Sequence, residues 1–127
     1  MGNTNSNSKN FGSVYDSQTP RPGYYINNKK VFYKSQPMDI TIDEVLSFKK
    51  LGYSYAKSNK RVFFKGKVIP GVASSNFFVI NRKNTTSILS NYTTPEVVKQ
   101  LLKLNKVLAI DFIQKKIFSD GVLIQVI

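Results

Sequence analysis

The sequence predicts an α+β domain of short antiparallel β-hairpin repeats with two helices, at about residues 42–51 and 94–104. Three observations support this fold class. A pattern of basic, β-branched and aromatic residues recurs in NKKVFYK (28–34), NKRVFFK (59–65) and, more weakly, QKKIFSD (114–120). Turn-forming residues separate the apolar runs, and two segments carry helix-start signals. Because such recurrence is typical of repeated supersecondary units, we expect the copies to bury their faces against each other.

Each copy of the pattern supplies one strand of a predicted hairpin. Residues 24–26 and 31–33 flank Asn27-Asn28, whose side chains tolerate positive φ, and the second copy repeats this arrangement. Tight turns into a further strand are predicted at Lys65-Gly66 and at Asp120-Gly121. Much of the chain is therefore expected to be short antiparallel β-structure.

Helix-start signals occur twice. Thr41 and Glu44 have the spacing of a capping box, which predicts the helix at about 42–51 and places Lys49-Lys50 near its negative C-terminal end. Thr94-Pro95 precedes a wide apolar stripe and predicts the helix at about 94–104. These features give structural explanations to most carboxylates of the folded part and leave two acids unexplained, Asp39 and Asp111.

The segment YAKSNKRVFFKGKVIPG (55–71) resembles the DKNYY repeat family, in which a Tyr-Ala-Lys-Asp-Lys-Asn segment precedes an aromatic strand and an Asn-Gly-Lys turn. The following ASSNFFVI (73–80) is similar to the closing turn and strand of that repeat. Ser58 stands where the family has Asp, and Phe63-Phe64 where it has Tyr-Tyr. The resemblance covers about residues 24–80, with a weak third copy near 113–124. It implies a β-hairpin repeat and carries over no activity and no functional residue.

Composition separates the chain into two parts and argues against catalysis. Residues 1–23 are rich in Asn, Ser, Gly and Pro and are interpreted as a flexible tether, whereas residues 24–127 are expected to form a single compact β-rich domain. The 127 residues include no Cys and no His, which excludes Cys–His and Ser–His nucleophiles and the usual zinc sites. We therefore expect a protein that is not an enzyme and that uses no cofactor or metal.

The N-terminus MGNTNSNSK matches the myristoylation pattern M-G-x-x-x-[ST], with Gly2 as the acylated residue and Ser6 at the required position. One myristoyl chain gives only marginal membrane binding, so a second signal is needed. The net charge of +12 can supply it. The residues predicted to contact an anionic surface are Lys29, Lys30, Lys34, Lys60, Arg61, Lys65 and Lys67.

These observations predict a non-enzymatic structural or adaptor protein that lies against an anionic membrane. We expect it at the cytoplasmic face of a membrane, or inside a virion next to its membrane, because an Asn/Lys-rich chain without Cys suits a large DNA virus. A protein partner or self-association is expected as well. The apolar run 122–127 is predicted to be a buried strand, with an edge strand that joins a neighbour as the alternative.

The alternative function is that of a basic nucleic-acid-binding or packaging protein. Alternation along a strand would place Lys30, Phe32 and Lys34 on one face, which suits phosphate contacts and base stacking. However, the element that persists in all three copies is the β-branched–Phe pair and not the flanking charge. We therefore expect Phe32, Phe63 and Phe118 to lie in the core.

Overall fold

The computed structural model describes residues 23–127 of the chain. Gly2, Ser6 and nearly all of the predicted tether lie outside these residues. Within them the structure confirms an α+β fold of short antiparallel strands and short helices. The strands are β1 Tyr24–Asn27, β2 Lys30–Tyr33, β3 Gln36–Pro37, β4 Lys49–Gly52, β5 Tyr55–Lys57, β6 Val62–Phe64, β7 Lys67–Ile69, β8 Phe77–Ile80, β9 Leu108–Asp111, β10 Lys116–Ser119 and β11 Val122–Val126, and the helices are α1 Ile42–Ser47, α2 Thr85–Leu89 and α3 Pro95–Leu102.

The strands form three antiparallel sheets, and each sheet contains one copy of the recurring pattern. The strand orders are β1-β2-β3, β4-β5-β6-β7 and β11-β10-β9-β8. We call these sheets unit 1, unit 2 and unit 3. The pattern occupies β2, β6 and β10, and its β-branched residue is fully buried in each copy, as Val31, Val62 and Ile117. The predicted repeat is thus a structural repeat.

The units stack in chain order with one hydrophobic cluster at each junction. Tyr24 and Val31 of unit 1 pack with Val45 of α1 and with Phe63 of unit 2. Other side chains of unit 2 pack against unit 3, whose opposite face packs against α2 and α3. The helical pair therefore covers the end of the stack where a fourth unit would otherwise lie.

Adjacent units are joined by the same contact at both junctions. The Tyr24 hydroxyl accepts a hydrogen bond from the Gly66 N–H at 2.9 Å, and the Tyr55 hydroxyl accepts one from the Gly121 N–H at 2.8 Å. Both turns also press against an aromatic side chain, because a β-carbon at Gly121 would lie 2.6 Å from the Phe64 ring. Burial raises the pKa of Tyr24 to about 12. Glycine is required at these turns by close approach as well as by positive φ.

The helix predicted at 42–51 is shorter than expected. Its N-terminus is the predicted capping box, in which the Glu44 N–H donates to Thr41 Oγ1 at 3.3 Å and the Thr41 N–H donates to Glu44 Oε1 at 3.2 Å. The helix ends at Ser47, and residues 49–52 form β4, which pairs with β5. Pairing with a neighbouring strand outweighs the helical pattern here. The second predicted helix begins at Pro95 and ends at Leu102, and α2 was not predicted.

The last strand is an exposed edge and not the buried strand that was expected. β11 pairs with β10 on one side and lies at the end of its sheet. Val122 and Val126 are 62% and 61% exposed, and Leu123 and Ile124 are also exposed. The prediction of a buried strand was wrong because β11 is the last strand of its sheet.

The expected core position of the pattern's Phe is confirmed at two of its three occurrences. Phe63 and Phe118 are 1% and 3% exposed, and each faces the preceding unit. Phe32 is only half-buried, and its ring stacks on that of Tyr25 with a centroid separation of 5.1 Å. Phe32 differs because unit 1 is the first unit of the stack, so within residues 23–127 no preceding unit packs against it.

Candidate functional site

In each unit the strand that carries the recurring pattern, β2, β6 or β10, is flanked by two turns, which lie at its opposite ends. We call the turn before this strand the first turn and the turn after it the second turn. The second turns are Lys34-Ser35, Lys65-Gly66 and Asp120-Gly121. Because Tyr33 packs on Gly66 and Phe64 packs on Gly121, these three turns lie side by side at one end of the domain.

The end that carries the second turns holds three exposed lysines, and we call it the basic end. Lys34, Lys65 and Lys67 are exposed there. The Lys34 ammonium lies 5.7 Å from the centre of the Tyr33 ring, and the Lys65 ammonium lies 5.5 Å from that of Phe64. Within residues 23–127, these three lysines form no ion pair with a carboxylate. Their charge is therefore directed at solvent.

The N-terminal segment joins the domain at the basic end. β1 begins next to Gly23, and the Lys34 N–H donates a hydrogen bond to the Gly23 carbonyl at 2.8 Å. The hydroxyl of Tyr24 donates to the Ser54 carbonyl at 2.7 Å in the same region. The chain that carries Gly2 thus enters the fold beside the second turns.

The other predicted cations lie at the opposite end, near the first turns. Lys29 is in the β1–β2 turn, Lys30 begins β2, and Lys60 and Arg61 lie in the β5–β6 turn. The seven residues predicted to form one anionic-surface contact are therefore divided between two ends of the domain. One strand of four residues separates the ends by roughly 10 Å.

Arg61 is engaged with the protein itself. Its Nε donates to Glu44 Oε2 at 2.8 Å, and its Nη2 lies 2.6 Å from Glu44 Oε1. The Ser58 hydroxyl donates to Glu44 Oε2 at 2.8 Å. The hydrogen bond from Arg61 holds the pKa of Glu44 at about 2, well below its usual value. This guanidinium joins the β5–β6 turn to α1 and is largely neutralised.

Asp111, one of the two acids left unexplained by the sequence, has a structural role at a first turn. Its carboxylate is fully buried and accepts hydrogen bonds from the N–H groups of Ile113 and Gln114 at 3.1 and 3.0 Å. Ser58 does the same in unit 2 by accepting from Lys60 and Arg61 at 3.1 Å. Ser58 is thus the structural counterpart of Asp111. The other unexplained acid, Asp39, contributes its main-chain carbonyl to Arg61.

A cleft at the basic end was not predicted from the sequence. It has a volume of about 340 Å³ and lies between units 2 and 3. Arg82 and Lys106 line it together with Lys65, and Asp120 is the single carboxylate among its lining residues. Arg82 donates a hydrogen bond to the Asn105 side chain. Only the fold brings these cations together, since they come from three distant segments of the chain.

Residues 23–127 offer neither a cluster of metal ligands nor a membrane-spanning helix. Among these residues no group of three or more acidic side chains is placed to hold a metal ion. In the same part of the chain, no helix has both the length and the apolar character needed to cross a bilayer.

Comparison with known proteins agrees with the repeat architecture. The model of the DKNYY family matches residues 24–123, so the match extends past residue 80 and ends within β11, the last strand of unit 3. No curated protein and no solved structure matches the chain. Because the match spans most of the 127 residues, the chain belongs to the DKNYY family.

Proposed function

We propose that this protein is a non-enzymatic adaptor that lies against an anionic membrane, with an acyl group on Gly2 and the basic end facing the lipid. The observation that carries the proposal is the entry of the chain at Gly23, within hydrogen-bond distance of Lys34. An anchor on the preceding residues would hold this end of the domain, where the chain enters the fold, within reach of the bilayer.

The segment between Gly2 and Gly23 is long enough for this arrangement. A chain of 21 residues spans at most about 70 Å when fully extended, which is several times the length of one of the domain's short strands. The basic end can therefore reach the headgroups while the acyl chain is inserted. In a virion of a large DNA virus, such a protein would connect an internal membrane to the layer next to it.

The two signals have complementary strengths. A single myristoyl chain binds with an association constant of about 10⁴ M⁻¹, or about 5.5 kcal/mol. Three lysines near an anionic surface add about 1 kcal/mol each. The sum of about 8.5 kcal/mol corresponds to an association constant of about 10⁶ M⁻¹. Neither signal alone gives stable attachment.

Vesicle flotation of matched charge variants tests the orientation. Replacing Lys34, Lys65 and Lys67 with Gln should weaken binding of the acylated protein to acidic vesicles by about 100-fold, since about 3 kcal/mol is lost. The control replaces Lys29, Lys30 and Lys60 with Gln, which removes the same charge from the opposite end. The control should bind nearly as the unmodified protein does. Equal losses in both variants would contradict an oriented contact.

The edge strand β11 is the surface proposed for self-association. Residues 121–127 contain no charged side chain, although residues 23–127 carry 17 basic and 6 acidic residues. An antiparallel pair of β11 strands centred on Ile124 would place Val122 of one copy opposite Val126 of the other. A lysine at Ile124 should abolish self-association in sedimentation measurements, because an edge lysine blocks strand pairing. The control is Ile113→Lys, at another exposed isoleucine that lies outside this strand.

Nucleic-acid binding is the second candidate, and one observation favours it. Phe32 is half-buried on the outer face of unit 1, where it stacks on Tyr25 beside the exposed Lys30. An aromatic surface next to a cation can stack with bases. Single-stranded DNA binding that weakens steeply with salt and is lost in Phe32→Ala would support this function. Absence of binding at moderate salt would remove it.

A further inference from the structure

We propose that the cleft between units 2 and 3 binds a phosphorylated polyol, either as the headgroup of an inositol lipid or as the corresponding soluble phosphate. For the lipid source this inference rests on the proposed membrane function, whereas binding of the soluble phosphate does not depend on it. The cleft lies at the basic end, where a bilayer would meet the domain.

The charge of the cleft suits a phosphate dianion. Lys65, Arg82 and Lys106 contribute three positive charges and Asp120 one negative charge, so the lining carries a net charge of +2. The three cations come from the β6–β7 turn, from the segment after β8, and from the segment before β9. Arg82 can hold two phosphate oxygens at once through its planar guanidinium. Its Nη2 donates to the side chain of Asn105, which also lines the cleft.

The pairing of Lys106 leaves it available to a ligand. Its ammonium lies 3.1 Å from Asp120 Oδ2, and the two side chains are 56% and 66% exposed. Ion pairs this exposed contribute little stability, so a phosphate can replace the carboxylate as the partner of Lys106. Asp120 remains the single negative charge of the lining and opposes binding of the phosphate.

The size and the remaining walls indicate a ligand larger than inorganic phosphate. The volume of about 340 Å³ falls within the range of small-molecule sites. Tyr53, which is exposed, and Phe64 provide aromatic walls. Tyr53 also brings a hydroxyl that can bond to ring hydroxyls of a sugar or an inositol. A phosphorylated ring would fill this space, with its phosphate at the cations and its ring against the aromatic side chains.

Calorimetric titration with inositol 1,4,5-trisphosphate tests the site itself. We expect saturable binding that falls at least tenfold in Arg82→Gln and in Lys106→Gln. The matched control is Lys83→Gln, which removes an exposed cation adjacent to Arg82 but outside the cleft lining, and it should leave affinity unchanged. Asp120→Asn should tighten binding severalfold, because it removes the single carboxylate of the lining. Absence of saturable binding, or an equal loss in Lys83→Gln, would overturn the proposal.

Vesicle flotation then distinguishes the two sources. If the lipid is the ligand, vesicles with an inositol bisphosphate lipid bind more tightly than phosphatidylserine vesicles of equal charge, and the soluble trisphosphate competes. If the soluble phosphate is the ligand, titration shows binding and flotation shows no preference between the two vesicles. Flotation on phosphatidylserine without trisphosphate binding would overturn the cleft site alone and leave the membrane function standing.

Discussion

The ion pair between the buried Glu44 and the partly exposed Arg61 gives the most direct prediction about stability. Glu44→Gln keeps the size of the side chain but removes its charge and presents an amide N–H₂ to groups that donate hydrogen bonds. The Glu44 carboxylate accepts bonds from Arg61 at 2.8 Å and 2.6 Å and from Ser58 at 2.8 Å. The substitution therefore leaves a donor of the β5–β6 turn without an acceptor.

The magnitude follows from the pKa of Glu44. Its fall from 4.5 to about 2 corresponds to at most about 3.4 kcal/mol of stability at neutral pH. The Arg61 side chain is 35% exposed, so water screens part of this interaction. We expect Glu44→Gln to lower the free energy of unfolding by about 2 kcal/mol at pH 7.

The pH dependence has a definite sign. Because folding lowers the pKa of Glu44, its contribution is complete above the unfolded value near 4.5 and is lost as the pH falls toward 2. Urea unfolding at pH 7 and pH 3 measures this loss. The unmodified protein should lose about 1 to 2 kcal/mol more between these pH values than Glu44→Gln does.

The control for this measurement is Glu96→Gln in the first turn of α3, where the side chain is exposed. It should change stability by only a few tenths of a kcal/mol. If Glu44→Gln had the same stability as the unmodified protein, or the same loss between pH 7 and pH 3, the assigned role of the pair would be wrong.

Three further predictions concern the junctions and the first turn of unit 2. Gly121→Ala should cost about 3 kcal/mol or more in thermal unfolding, because strain at positive φ adds to a clash with an aromatic ring. Gly52→Ala, also at positive φ but in open space, should cost only about 1 to 2 kcal/mol, and equal costs would count against the close junction. Tyr55→Phe should cost about 1 kcal/mol by removing the acceptor of the Gly121 N–H, and an unchanged midpoint would contradict that bond. Ser58→Asp, which gives unit 2 the residue type of its counterpart Asp111, should destabilise the protein by placing a second carboxylate beside Glu44. The added change Glu44→Gln should recover part of the loss, and no recovery would refute the repulsion.

The sequence predicted those features of the fold that depend on neighbouring residues. The hairpins were predictable because positive-φ turns at Lys65-Gly66 and Asp120-Gly121 follow β-branched and aromatic runs. The capping box at Thr41 was predictable because both of its bonds join residues three positions apart. The buried β-branched–Phe pair was predictable in two units because the repeat itself indicates packing.

Features that depend on distant residues were not predictable. The end of α1 at Ser47 is set by the pairing of β4 with β5, which competes with the helical pattern. Arg61 was assigned to the anionic surface because its pattern gives no sign of Glu44, which lies 17 positions earlier in the chain. Exposure of β11 depends on its place at the end of a sheet.

The candidate site was predicted only in part. Lys34, Lys65 and Lys67 lie together at the basic end. Lys29 and Lys30 are separated from them because they lie at the opposite end of a strand. Sequence reasoning did not find Arg82 and Lys106 at all. Neither belongs to the recurring pattern, and they approach Lys65 only when unit 3 packs on unit 2.

Flotation of the acylated protein on vesicles of defined charge tests the central claim most directly. The protein is produced with an N-myristoyltransferase and compared with Gly2→Ala, on vesicles with and without acidic lipid. We predict stable flotation only when acyl group and acidic lipid are both present, since each signal alone is too weak. Equal flotation of Gly2→Ala, or flotation that does not depend on acidic lipid, would contradict the membrane function.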